Sequence, residues 1–335
     1  MNYTKQGEKK IRIACIKFFL YTEKMKMLVT GGTIFVSRRI AEFFCTSGNE
    51  VFVLNRNTRA QVPGVQLIQA DRHSLVPDSL SGYDFDAVID VCAYTEEDAR
   101  ILSSALGKNF SGEFIFISSS AVYPETNIQP FSENQQCGAN SVWGDYGTNK
   151  ILCEKYYSSI FPNTYIIRPP YLYGQGNNVY REAFAFDCAD FNRTFYLPEN
   201  GAMKMQFFHI DDLCRFIHIL LEQKPEQRIF NVGNAQSISV KEWVNLCYAA
   251  AGKTPAFKSV DTSVPQRNYF CFHKYEYALD VSRMSALMPE TISLSAGLNK
   301  SYDWYKTHKD EVNRRDYFNY IDNDLKISEK SNVKA

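Results

Sequence analysis

Met27-Leu28-Val29-Thr30-Gly31-Gly32-Thr33-Ile34-Phe35-Val36-Ser37-Arg38-Arg39-Ile40-Ala41-Glu42-Phe43-Phe44 runs from a short apolar stretch through a glycine turn into an amphipathic segment. The order strand, tight turn, helix start points free backbone amides and the positive end of a helix dipole at one spot, which suits the pyrophosphate of a dinucleotide. Gly31, Gly32, Thr33, Ile34 and Phe35 are therefore candidate cofactor-binding residues.

Further along, Ser-Val-Trp-Gly-Asp-Tyr-Gly-Thr-Asn-Lys (141–150) lies downstream of Ser118-Ser119-Ser120. One helical turn brings Tyr146 and Lys150 onto one face, where an ammonium favours a phenolate and turns a weak acid into a proton carrier. Spacing alone does not settle this, because Tyr302 and Lys306 repeat it in a chain of 21 tyrosines. Only the first pair follows a glycine turn and a serine run.

The 335 residues, 45% of them hydrophobic, can bury a large core, in one domain or two intimately joined ones. Thirty-seven basic and 37 acidic residues cancel, so no broad attraction to nucleic acid or an anionic membrane follows. Nine scattered cysteines without a Cys-x-x-Cys pair read as reduced thiols of a cytoplasmic protein, and five histidines without ligand spacing give no expectation of a metal site. Residues 11–21 are apolar but interrupted by Lys17 and too short to span a membrane. Residues 1–24 are expected to be a poorly ordered leader or a mis-assigned start, and 313–335 a polar tail that frays.

Between these ends, strand-like runs at 51–54, 66–69, 87–91, 114–118, 165–168 and 229–232 alternate with helical patterns at 36–47, 95–106, 145–160 and 211–223. The alternation predicts an α/β fold, a doubly wound parallel, Rossmann-like sheet with helices on both faces. The core is assigned to 25–174 with 206–235 returning to it, and a smaller, interwoven C-terminal substrate cap to 175–205 and 236–312.

Six ordered segments then carry a family resemblance: Thr30-Gly31-Gly32-Thr33, Ser118-Ser119-Ser120-Ala121-Val122-Tyr123, Tyr146-Gly-Thr-Asn-Lys150, Arg168-Pro-Pro-Tyr-Leu-Tyr-Gly174, His209-Ile-Asp-Asp212 and Phe230-Asn-Val-Gly233. Over residues 27–310 the chain resembles the extended short-chain dehydrogenase/reductases, the NAD-dependent epimerase/dehydratase family. The resemblance implies that Ser119 bonds the substrate oxygen, Tyr146 exchanges the proton with the nicotinamide C4 exchanging hydride, and Lys150 holds the ribose. It further implies that Asp71 meets the adenine amine and that Cys92, Ala93 and Pro169 line the dinucleotide. Family dehydratases follow the serine with an acidic pair; Ser120 and Ala121 stand there, so dehydration is not expected.

Departures from the family pattern matter as much. Ile34 and Ser37 replace the second and third glycines of the turn, so a side chain crowds the approach to pyrophosphate. Ile34-Phe35-Val36, Asp71-Arg72, the Phe85 to Asp90 run, Phe270-x-Phe272 and Asp280-Val281 resemble the branch that includes the chloroplast stem-loop-binding proteins, whose plant members are associated with RNA. At the end of the second strand Asn55 lacks the acidic charge that grips the ribose of NAD, while Arg56, with Arg38 and Arg39, offers a partner for a 2′-phosphate, so NADP is preferred over NAD. Tyr171 and Met205 replace an asparagine and an arginine that epimerases place near a diphosphate, so a diphosphate ligand is expected to be poorly held unless Lys204, Arg181 or Arg267 compensates. Ser120, Tyr171, Asn178, Tyr180 and Arg267 are the candidate substrate residues for a carbohydrate-like small molecule. The leading expectation is an NAD(P)-dependent epimerase or reductase of a sugar, nucleotide-sugar or related substrate, with a homodimer as the candidate assembly. The alternatives are an RNA-binding or ribonucleolytic protein on a retained dinucleotide fold, and a non-catalytic cofactor-sensing regulator.

Overall fold

The computed structural model describes residues 24–325; all but the last residue of the expected leader, and residues 326–335 of the tail, lie outside the described residues. In chain order the first half comprises β1 (Lys26–Thr30), α1 (Phe35–Thr46), β2 (Glu50–Asn55), β3 (Gln66–Gln69), β4 (Ala87–Asp90), α2 (Glu96–Leu106), β5 (Glu113–Ile117), α3 (Asp145–Ile160) and β6 (Thr164–Arg168). The second half comprises β7 (Tyr171–Tyr173), α4 (Glu182–Asp190), β8 (Phe195–Pro198), β9 (Lys204–Met205), β10 (Phe207–His209), α5 (Ile210–Gln223), β11 (Ile229–Asn231), β12 (Ile238–Ser239), α6 (Val240–Ala250), β13 (Phe257–Val260), α7 (Ser282–Leu287), α8 (Leu294–Thr307) and α9 (Tyr317–Tyr320).

A seven-stranded parallel sheet in the order β11-β6-β5-β4-β1-β2-β3 forms the centre. Its order reverses between β1 and β4, and every central strand buries both faces, as a doubly wound sheet requires. The period of two sorts the side chains: Met27, Val29, Val53, Ile89 and Ile115 pack with α1 and α5, whereas Leu28, Phe52, Val88, Phe114 and Phe116 pack with α2 and α3. β11 closes one edge, which explains how residues near 230 rejoin the core after a long excursion.

The remaining strands pair outside this sheet: β7 with β10, β8 with β13, and β9 with β12. The polar tail departs from the expectation of fraying, because residues up to 325 dock on α4. Tyr317, Ile321 and Leu325 are buried at helical spacing, and Arg314 meets Asp187 at 3.3 Å. This apolar stripe, with the ion pair, outweighs the polarity of the intervening residues. No helix of the described residues is long and apolar enough to cross a membrane.

Candidate active site

The carboxyl ends of β1, β4, β5 and β6 open onto a cleft of about 810 Å³ that contains Gly31, Ile34, Cys92, Ser119, Tyr146 and Lys150 among its walls. Such crevices at the strand ends, beside the reversal of strand order, are where open α/β sheets bind ligands. A second cavity of about 870 Å³, lined by Asp84, Asp86 and Glu113, sits at the opposite end of the sheet and contains none of the acid/base trio.

The glycine turn forms the floor. Gly31 and Gly32 both adopt left-handed backbone, with φ of 87° and 85°. A Cβ on Gly31 would lie 2.8 Å from Ser37 Oγ and 2.9 Å from Cys92 Sγ. Ile34, the N-cap of α1, makes no side-chain cap bond, so the first amides of the helix stay open to an anion. Ile34 itself is 39% exposed and lines the cleft, and the next residue, Phe35, has a φ of 34°. A bulky residue in that region stores strain of about 1–3 kcal/mol. Ser37, at the place of the family's third glycine, donates to Ile34 O at 3.1 Å. The cradle, the open helix end and the neighbouring lysine fit the phosphates and ribose of a dinucleotide.

Tyr146 and Lys150 lie on the first turns of α3, where the ammonium stands 6.0 Å from the centre of the phenol ring. Lys150 is 2% exposed and is held by Ala93 O at 2.8 Å, in the loop after β4, and by Ile117 O at 3.0 Å, at the end of β5. Its third N–H is free for a ligand. Tyr146 is 41% exposed and lines the same cleft as the glycine turn. Ser119 caps a short 3-10 turn by accepting from Ala121 N at 3.1 Å, which leaves its own proton available. Gly147 sits where a Cβ would meet Ala121 O at 2.3 Å, so the start of α3 can pack directly on the serine loop. The other Tyr-x-x-x-Lys pair lies elsewhere: Tyr302 donates to Asp190 at 2.7 Å and Lys306 meets Asp303 at 2.8 Å on the cap.

Beneath the trio is a buried network that the sequence reading did not single out. Arg72 binds Asp90 through two bonds of 3.0 and 2.7 Å, while Thr30 and Tyr157 donate to the same carboxylate. Burial works against charge on Asp90, but Arg72 and these donors hold its carboxyl below the usual carboxylate range. Asp90 also accepts from Cys92 N at 3.0 Å and so fixes the turn after β4. Burial pushes the Cys92 thiol up. Asp71 keeps its side chain 45% exposed, whereas its neighbour Arg72 reaches inward to Asp90, 18 residues on, a pairing that only the fold creates.

The other expected cofactor residues are placed as follows. Asn55 donates to Gly31 O at 2.6 Å and accepts from Asn57 N at 2.9 Å, bracing the turn. Arg56 is 70% exposed and approaches Asp71 at 4.0 Å, at the far ends of β2 and β3. Arg39 is committed to Asp211 at 2.7 Å and Glu42 at 2.6 Å. Pro169 lines the cleft and accepts from Ser120 N at 2.9 Å.

Of the expected substrate residues, Ser120, Tyr171 and Asn178 line the cleft, and Ser120 donates to Tyr277 at 2.9 Å. Tyr180 does not: it turns into the cap, stacks on Tyr317 and donates to Asp187 at 2.8 Å, because its apolar ring and hydroxyl both find buried partners there. Arg267 also stays out of the cleft wall, donating to Phe270 O at 3.1 Å, and Arg181 stands in the wall instead. Trp143, His273 and Tyr277 are additional wall residues; the position of Trp143, three before Tyr146, was the available signal for the first.

The family model for the NAD dependent epimerase/dehydratase family matches residues 27–233. The chain belongs to this family. A chloroplast stem-loop binding protein of 41 kDa (b) from Arabidopsis thaliana is 26% identical over 249 residues, covering 69% of this chain and 64% of that protein. A UDP-glucose 4-epimerase from Corynebacterium glutamicum is 24% identical over 275 residues, covering 68% and 81% respectively. Among solved structures, the dTDP-glucose 4,6-dehydratase of Bacillus anthracis in complex with NAD superposes with a TM-score of 0.70 at 16% identity, covering 86% of this chain and 98% of that one. This family member thus spans less than two thirds of the length of the stem-loop binding protein it matches.

Proposed function

We propose that the protein is an NAD(P)-dependent epimerase or reductase of a sugar, nucleotide-sugar or related hydroxyl or carbonyl compound. The observation that carries this reading is the convergence of Ser119, Tyr146 and Lys150 in the same cleft as the glycine turn, with Lys150 anchored by the carbonyls of Ala93 and Ile117. A nicotinamide dinucleotide bound there would supply hydride exchange. Gly31, Thr33, Ile34 and the first amides of α1 are suited to its phosphates, and the remaining N–H of Lys150 to a ribose hydroxyl.

The Ser119 hydroxyl donates to the reacting oxygen of the substrate. Tyr146 as phenol gives that oxygen a proton in reduction and as phenolate takes the proton of the substrate hydroxyl in oxidation. Lys150 keeps a positive charge on the same face throughout. Arg56 makes NADP the preferred form, since its exposed guanidinium at the end of β2 has only a long contact with Asp71 to give up. Ser120 and Ala121, in the positions of an acidic pair, disfavour water elimination. The Arabidopsis relative's name favours a second reading, stem-loop RNA binding, which requires salt-sensitive affinity for structured RNA.

The test is a panel of UDP- and dTDP-sugars with wild type and Tyr146→Phe, beside an RNA titration at two salt concentrations. Turnover should fall by about 10²- to 10⁴-fold in Tyr146→Phe with dinucleotide affinity retained. Undiminished turnover in that variant would remove Tyr146 from the chemistry, and tight RNA binding unaffected by Tyr146→Phe would support the second reading.

A further inference from the structure

At the substrate end of the cleft, Arg181 carries a charge that no described residue pairs with. Its guanidinium stands over the ring of Tyr171 at 4.9 Å and that of Phe272 at 5.8 Å. The side chain lines the cleft and, among the described residues, forms no hydrogen bond or ion pair. Its neighbour Glu182 is turned away, accepting from Asn177 Nδ2 at 2.9 Å. Ring contact satisfies a face of the guanidinium and leaves the N–H donors of its edge facing the cleft, open to water or to an anionic ligand.

Two further observations lie on the same spot. Tyr171 is 7% exposed, and its hydroxyl is buried without a hydrogen-bond partner. Burial pushes that hydroxyl up to about 12, so it is a proton donor waiting for an acceptor. The field is positive as well: beyond burial, Arg267, Arg181 and Arg315 all hold the adjoining His273 below its ordinary value. Neither Lys204, exposed on β9, nor Arg267 is part of the cleft wall, while Met205 is buried.

We propose that Arg181, seated on Tyr171, recognises an anionic group of the substrate and thereby restricts the substrate class to compounds bearing phosphate, diphosphate or carboxylate. This rests on the reading of the cleft as the substrate site of a dinucleotide enzyme. A planar fork of N–H donors accepts either oxyanion through paired bonds, and the aromatic wall of Trp143, Tyr171 and Tyr277 leaves an apolar face for the rest of the molecule. The cation has moved, relative to the family pattern described above, from the strand at 205 to the start of α4.

The test uses the full chain and its Arg181→Met and Arg181→Lys variants, titrated calorimetrically with UDP, glucuronate and uncharged galactose, each with and without NAD. Methionine keeps a long apolar side chain on the Tyr171 ring, and melting temperatures report whether each variant folds. Wild type should bind UDP or glucuronate, tenfold or more weakly in Arg181→Met, with partial recovery in Arg181→Lys. Preference for UDP identifies a phosphate group as the ligand, and preference for glucuronate a carboxylate. Equal anion affinity in wild type and Arg181→Met would overturn the proposal, as would binding of galactose with neither anion. A protein that binds UDP through Arg181 yet takes no NAD would leave the anion seat standing and sink the dinucleotide reading instead.

Discussion

Gly32→Ala should damage the protein out of proportion to the single methyl group it adds. The backbone there has a φ of 85°, which costs an L-residue about 1–2 kcal/mol. The new Cβ would stand 2.5 Å from Val53 Cγ1 and 2.8 Å from Val53 Cβ. Val53 is fully buried in β2 and register-paired with Val29, so it has no free space to retreat into. Overpacking of a core site adds about 1–3 kcal/mol. The expected loss is therefore about 2–5 kcal/mol, read from urea unfolding as a lower midpoint with an unchanged slope. Val53→Ala removes the nearer contact, so the double variant should be more stable than the two single losses summed would allow, by about 1 kcal/mol or more. Simple additivity, or a loss in Gly32→Ala below about 0.5 kcal/mol, would refute the tight packing of turn on strand.

Other consequences are checked as directly. His209 is buried, and burial, opposed in part by Asp211, brings it down to about 4. A histidine with a depressed folded value contributes stability that is whole above its unfolded value and is lost as pH falls from about 6.5 toward 4, here about 3 kcal/mol, with His273 acting in the same sense. Unfolding measured across that window should show stability rising with pH in wild type and a flatter profile in His209→Asn; parallel profiles would clear His209. Ile34→Gly should tighten dinucleotide binding if the exposed isoleucine crowds the phosphates, at a chain-entropy cost of roughly 0.5–1 kcal/mol; a well-folded variant with unchanged or weaker affinity would show that the loop, with Phe35 in left-handed backbone, is built around the isoleucine. Arg56→Ala should weaken NADP by about 1.5–3 kcal/mol and leave NAD nearly unchanged, since only a charge-assisted phosphate contact is lost; equal losses in calorimetric titration would take Arg56 away from the 2′-phosphate.

The parts of the molecule governed by short-range patterns were legible in its sequence. β1, the glycine turn and α1 occupy consecutive residues, and Tyr146 and Lys150 meet because one helical turn separates them. The alternation of strands and helices gave the doubly wound sheet for the same reason. What escaped depends on partners far apart in the chain. Tyr180 turns inward because Asp187 and Tyr317 receive it, and Tyr317 belongs to a tail whose apolar stripe is diluted by polar residues. Tyr157 and Asp90 join across 67 residues, and Arg72 completes their network from the loop after β3. Asn55 occupies the expected strand end, but its amide is used to hold Gly31, a role that depends on the twist of the turn.

Dinucleotide binding tests the account most directly. Native mass spectrometry of freshly purified protein, followed by titration with NAD and NADP, should reveal one dinucleotide per chain. Lys150→Ala should weaken it, because the ribose partner is removed while the glycine turn and the open end of α1 remain. A protein that carries no dinucleotide and titrates with neither form would contradict the reading of the Gly31 turn, Ser119, Tyr146 and Lys150 as one redox site.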